Sequence, residues 1–157
     1  MSESDDIRYM KKALQQAEIA AENGEVPVGS VLVLEDGKEF TAHNAPISEN
    51  DASAHAEMRV IREACKAEGN YRLPGSTLYV TLEPCLMCAG AIIHARIARV
   101  VYGATDPKTG AVESVYQALS DKRLNHQPEI TSGVLADESG NLLKSFFQVS
   151  IPSQTGR

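Results

Sequence analysis

The chain has 157 residues, 43% of them hydrophobic, a formal net charge of −6 and three cysteines. That length buries one sizeable core and is short for two, the few and odd cysteines argue against a secreted disulfide framework, and the negative balance argues against nucleic-acid binding by bulk charge. The start MSESDDIRYM is acidic where a targeting signal needs a basic start and an apolar run, and VGSVLVL is too short to span a bilayer, so the expectation is a single domain over residues 1–157, cytoplasmic and without membrane segments.

Ile7, Met10, Leu14, Ala17 and Ala21 recur at helical spacing and Asn23-Gly24 supplies a stop, predicting an amphipathic helix over residues 6–22. VPVGSVLVL is a continuous β-branched run, EDGK a hairpin turn and EFTAHN the returning strand. Asp51 or Ser53 offers an N-cap for a helix through HAEMRVIREACKAE to Gly69. TLYVTL reads as a strand, a helix opens near Pro84 and carries CLMCAGAIIHARI, and RVVYGA is another buried strand. A short helix is expected at 112–119, then a strand near EITSGV, a last helix through DESGNLLKSFFQ, and a tail that frays from about residue 150. Cys65, in EACKAE, reads as a small packed residue.

A hairpin followed by alternating strands and helices implies an α/β fold, a mixed sheet with parallel later strands and helices on both faces. Ligands in such folds gather outside the carboxyl ends of the strands. The fold alone assigns no reaction.

Two short segments carry the chemistry. Cys85 and Cys88 in EPCLMCAG are spaced as a redox pair, half a structural zinc knuckle or part of a catalytic metal site, and spacing alone does not choose. His55 and Glu57 in AHAEM are, taken singly, an ordinary helix start with Glu57 paired to an arginine. Together, H-A-E followed by P-C-L-M-C matches the known zinc-deaminase signature; this is recognition of a pattern, not a consequence of spacing. The residue types suit it. Two thiolates near a helix N-terminus and one neutral imidazole make three ligands, leaving a fourth tetrahedral position for water, the pattern of a catalytic zinc. Glu57 lies roughly 200° around an ideal helical wheel from His55, consistent with moving protons rather than binding metal.

Beyond the signature, EVPVGSVLV, DASAHAEM, NYRLPGSTLYVTLEPCLMCAGAIIHARIARVVYGA, DPKTGA and NHQPEITSGVLADE resemble the bacterial tRNA adenosine deaminase family from about residue 5 to 148. The resemblance implies a three-layer α/β/α cytidine-deaminase-like fold with a mixed five-stranded sheet. It implies hydrolytic deamination of adenosine to inosine at the wobble position of an arginine tRNA anticodon, by a homodimer with one Zn²⁺ per chain. His55, Cys85 and Cys88 would ligate zinc and Glu57 would shuttle protons. Asn44 would hydrogen-bond the target nucleotide, Val28 and Leu82 would wall the base, Asp106 would sit beside the ribose, and Phe147 would shape the place of an adjacent nucleotide.

Without the family, Val28 and Leu82 read as core, Asn44 and Asp106 as turn residues and Phe147 as a helix anchor. The tRNA anticodon stem-loop is the expected partner, yet Ala45, Gln148 and a nearly uncharged tail stand where family members often carry basic residues. Phosphate contact would then be weaker, or an RNA interface would be built mainly from the arginines of the middle-third basic group Arg59, Arg62, Arg72, Arg96, Arg99 and Lys108. The apolar helix CAGAIIHARI is either core or half of a dimer interface. Two rival functions share the zinc: a deaminase of a free base or nucleoside, and a zinc-stabilised binding module without turnover.

Overall fold

A computed structural model of the chain describes residues 2–148; the tail expected to fray from about 150 lies outside the described residues. The first helix, α1 (Glu3–Glu22), starts at Glu3 rather than residue 6 because Ser2 caps it: its hydroxyl accepts the Asp5 N–H at 3.2 Å while its own N–H faces the Asp5 carboxylate. β1 (Gly29–Val33) and β2 (Glu39–His43) form the expected hairpin. A one-turn helix that sequence reading lacks, α2 (Pro46–Glu49), precedes α3 (Ala56–Glu68). β3 (Thr77–Leu82), α4 (Leu86–His94), β4 (Arg99–Ala104), β5 (Glu129–Thr131) and α5 (Ala136–Gln148) follow.

Two local expectations are corrected. Neither Asp51 nor Ser53 caps α3; Asp51 accepts the Ser53 N–H and hydroxyl at 2.9 and 2.7 Å, closing a turn of its own, and His55 in extended conformation takes the N-cap place. No helix fills 112–119. The N–H groups of Val112, Glu113 and Ser114 all turn onto one oxygen of Glu83, and only a 3₁₀ turn at Ala118–Ser120 remains.

The five strands lie in the order β2-β1-β3-β4-β5, with β1 antiparallel to both neighbours and β3, β4 and β5 parallel. α3 and α4 cover one face and α1 and α5 the other, which is the expected three-layer arrangement. β1 and β3 are buried along their whole length, so their residues alternate between two cores. Leu32, Leu78 and Val80 pack with Val60, Ile61 and Ile92 of α3 and α4. Val31, Val33 and Tyr79 pack with Tyr9, Met10 and Ala13 of α1. Gly29 lets α1 approach closely: a Cβ there would come within 2.0 Å of the Ala13 carbonyl oxygen and 2.5 Å of the Ala17 nitrogen.

Beneath α1 lies an ion pair between the buried Asp6 and the half-buried Arg99. Arg99 donates to both oxygens of Asp6 at 2.8 and 2.7 Å and to the Thr131 hydroxyl at 2.8 Å, and Tyr79 donates its hydroxyl to Asp6 at 2.9 Å. The Arg99 guanidinium holds the Asp6 carboxyl below the ordinary 3.8, outweighing burial, which pushes it up. Among the described residues no helix is long and apolar enough to cross a membrane.

Candidate active site

The site forms where β3 ends. After Leu82 the chain passes through Glu83-Pro84 and enters α4 with Cys85 as its N-cap, while His55 caps α3 alongside. The Ser30 hydroxyl of β1 donates to the Ala56 carbonyl at 2.9 Å and fastens the first turn of α3 over the sheet. Two helix N-termini, each with unsatisfied N–H groups and a partial positive charge, therefore meet at the carboxyl end of β3.

His55, Cys85 and Cys88 bring their ligand atoms within 4.8 Å of one another. Nδ1 of His55 lies 3.5 Å from each sulfur. Zn–S and Zn–N bonds of about 2.3 and 2.0–2.1 Å at a tetrahedral angle place sulfur and nitrogen about 3.6 Å apart, so the triangle fits one Zn²⁺ per chain. With Nδ1 facing the sulfurs, the ring proton belongs on Nε2. The Cys88 thiol first, then the His55 ring and the Cys88 backbone N–H, hold Cys85 well below its ordinary 9.0, at about 4, against burial, which pushes it up. A thiolate is thus favoured at the place where a metal needs one.

Glu57 is fully buried in the first turn of α3, close enough for its charge to raise the Cys85 thiol, yet its carboxylate is not a member of the three-ligand cluster. The separation of His55 and Glu57 does not come from a shared helical wheel. His55 stands outside the helix as its extended cap, and that change of backbone conformation sets the two side chains apart.

Three further residues gather at the same end of the sheet by register. β1 pairs with β2 as Gly29↔His43, and the next place joins Val28 to Asn44, whose N–H donates to the Val28 carbonyl at 3.0 Å. Continuing the β1–β3 register past Ser30↔Val80 sets Val28 opposite Leu82, and Gly29 already donates its N–H to the Thr81 hydroxyl at 3.2 Å. All three are buried. Asp106 follows β4 on the same side, where its carboxylate accepts the N–H groups of Lys108 and Thr109 at 3.1 and 3.2 Å and the Thr109 hydroxyl at 2.7 Å. Phe147 is half-buried in the last turn of α5 with its ring edge-on to Phe146, and α5 packs on β4, β3 and α1 rather than on the helices bearing the ligands.

Two buried carboxylates escaped sequence reading. Glu25 accepts the N–H groups of Ile47 and Ser48 at 3.2 and 2.6 Å and the Ser48 hydroxyl at 2.7 Å, capping α2 beside Asn44. Glu83 accepts N–H groups from Asp106, Val112, Glu113 and Ser114 at 2.9, 3.0, 2.8 and 3.0 Å and the Ser114 hydroxyl. Burial pushes the Glu83 carboxyl up, but those donors, the Glu113 N–H and Ser114 hydroxyl foremost, hold it below its ordinary value. The one sequence signal for either was an acidic residue set directly against an apolar run next to a proline: Glu25 precedes VPVGSVLV, and Glu83 stands between TLYVTL and Pro84.

The cations expected to serve RNA are partly committed elsewhere. Arg99 is spent on Asp6 beneath α1. Arg59 reaches the His43 carbonyl and Glu49, and Arg62 reaches Asp51 and Ser53, both near the mouth of α3. Lys108 is exposed on the turn that Asp106 closes. Ala45, where a basic side chain was expected from the family, is 2% exposed.

Comparison with known proteins agrees with this geometry. The family model for the cytidine and deoxycytidylate deaminase zinc-binding region matches residues 3–104. The chain is 52% identical to a tRNA-specific adenosine deaminase of Bacillus subtilis over 91% of this chain and 89% of that protein. It is 50% identical to a tRNA-specific adenosine deaminase of Haemophilus influenzae, covering 91% of this chain and 83% of that one. A solved structure from studies of A-to-I editing by tRNA:A34 deaminases superposes with a TM-score of 0.83 at 51% identity, covering 87% of this chain and 99% of the other. Guanine deaminase of Bacillus subtilis is 40% identical with a TM-score of 0.59, over 62% of this chain and 63% of that one.

Proposed function

The chain belongs to the tRNA-specific adenosine deaminase family of zinc-dependent hydrolases, and on that premise we propose that it converts adenosine to inosine in tRNA, at wobble position 34 of an arginine tRNA anticodon. The observation that carries the reading is the His55–Cys85–Cys88 triangle with Glu57 buried beside it and outside it. When bound, Zn²⁺ supplies the Lewis acidity that makes water a nucleophile near neutral pH.

The protein's own groups do the rest. Glu57 takes one proton from the water attacking C6 of the adenine and hands it to ring N1, then takes the remaining proton from the C6 hydroxyl so formed and gives it to the amino group, which leaves as ammonia. Water enters, ammonia departs, and C6 becomes the carbonyl of inosine. Val28 and Leu82 wall the base, and Asn44, held at the strand end by its own N–H, orients the nucleotide through its side-chain amide. Asp106 meets the ribose and Phe147 shapes the place of a neighbouring nucleotide. An anticodon-loop base suits such a pocket because an unpaired nucleotide enters it at less unstacking cost than one in a duplex.

The enzyme is proposed to act as a homodimer through the outer face of α4. Leu86, Met87, Val115, Tyr116 and Leu124 are 38–52% exposed, and Leu86, Val115, Tyr116 and Leu124 line one shallow groove there. A second copy would cover it.

Purified protein incubated with bulk tRNA, with free adenosine and cytidine, and with guanine and cytosine tests the function. Inosine in tRNA alone is the expected result. Ammonia released from a free base or nucleoside alone would replace this reading with the rival deaminase, and no product from any of them would leave a zinc-binding module.

A further inference from the structure

Glu83 is among the most completely buried side chains of the described residues, at 0% exposure, and all five hydrogen-bond partners of its carboxylate are donors. Oε2 takes the N–H groups of Val112, Glu113 and Ser114, and Oε1 takes the Asp106 N–H and the Ser114 hydroxyl. The turn closed by Asp106 and the segment 112–114 are thereby tied to one point, and that point is two residues from the zinc ligand Cys85. The tie is tight from both sides. Ala111 donates its N–H to the Pro84 carbonyl at 2.8 Å, Cys85 bridges to Gly110, and a Cβ on Gly110 would fall 2.3–2.5 Å from the Glu83 carboxyl atoms.

We infer that Glu83 is a positioning residue for substrate: it holds the Asp106 turn against the ligand-bearing entry to α4, so that the ribose contact and the reacting centre keep a set separation. The inference rests on the function proposed above. A carboxylate suits the site because four of its five partners are backbone N–H groups, which can only donate, so a buried amide must set its own NH₂ against at least one of them. Glu83→Gln keeps the shape and tests this with directional sense. Its Nε2 is excluded from the Oε2 position by three N–H groups. It is tolerated at the Oε1 position, where the Ser114 hydroxyl can rotate and accept. The Asp106 N–H alone is then left without its acceptor.

The experiment combines three measurements on the zinc-loaded protein: metal content, residue-resolved amide exchange, and kinetics on an anticodon stem-loop. In wild type the Asp106 amide is expected to be protected together with those of Val112–Ser114. An Asp106 amide exchanging at the rate of an open chain would overturn the inference without any variant needing to fold. In Glu83→Gln, zinc stays at one per chain, the Asp106 amide exchanges about ten-fold faster or more while those of 112–114 hold, and KM rises about ten-fold with little change in kcat. Loss of zinc, a fall in kcat at unchanged KM, or an unchanged Asp106 amide would each overturn it. Wild-type protein that makes no inosine in tRNA would defeat the proposed function instead, and the exchange pattern separates the two failures.

Discussion

Replacing Asp106 by Asn isolates one charged acceptor with little disturbance of the fold. A carboxylate offers roughly four acceptor positions. Asp106 uses two on Oδ1, for the Lys108 and Thr109 N–H groups, and one on Oδ2, for the Thr109 hydroxyl. One position on Oδ2 is left for a substrate. Asparagine keeps both amide bonds on its oxygen, and its NH₂ can donate to the Thr109 oxygen once that hydroxyl turns, so the turn survives while the charge and the last acceptor are lost. If that acceptor meets the ribose 2′-hydroxyl, the preference for RNA falls by about 1–3 kcal/mol, roughly 5- to 150-fold. The assay is the ratio of kcat/KM on an RNA hairpin to that on a DNA hairpin of the same loop sequence, for wild type and Asp106→Asn, with zinc content and Tm in parallel. Thr109→Ala serves as control, since it removes a bond of the turn but leaves the carboxylate. An unchanged ratio in Asp106→Asn would show that the side chain only closes its turn.

Other expectations follow from the same geometry. Glu57→Ala should keep one zinc per chain and lower kcat by about 10²–10⁴; zinc lost together with activity would make Glu57 a ligand. His55→Ala or Cys85→Ala should lose the metal on gel filtration, as measured by elemental analysis, because two ligands do not hold a tight tetrahedral site. Asp6→Asn should destabilise the protein most above pH 4. The folded-state Asp6 carboxyl lies below 3.8 because of Arg99, so its stabilisation is complete above the unfolded value and fades as pH falls through the folded one. Tm profiles with a gap independent of pH would contradict that linkage. Light scattering at micromolar concentration should report a dimer, and Leu86→Glu a monomer; a monomeric wild type would reject the interface.

Much of the fold was legible because its signals are local. TLYVTL and RVVYGA are apolar runs bounded by turn residues, and the strands coincide with them at Thr77–Leu82 and Arg99–Ala104. Gly69 ends α3 in the left-handed conformation that glycine adopts at low cost. Errors arose where a distant group captured a local one. Asp51 and Ser53 are good caps by type, but each satisfies the other, while Ser30 fixes α3 three residues further on. The segment 112–117 has no helix because Glu83, some thirty residues earlier, supplies the acceptor for its amides.

The same distinction explains which part of the site could be read. A zinc centre restricts residue type so severely that His55, Cys85 and Cys88 announce themselves as a pattern before any contact is known. The positions proposed to face substrate, which only the family resemblance named, carry no such restriction. Valine, asparagine and leucine are ordinary residues, and what sets Val28, Asn44 and Leu82 apart is that two antiparallel registers bring them to one strand end. That information lies in strand pairing, not in any window of sequence. Glu83 is the extreme case, since each partner lies 23–31 residues away and a short window shows only an acid in an apolar strand end. Such an acid is costly to bury unless donors surround it, so its presence beside the ligand motif was itself a sign that a loop must fold back to supply them.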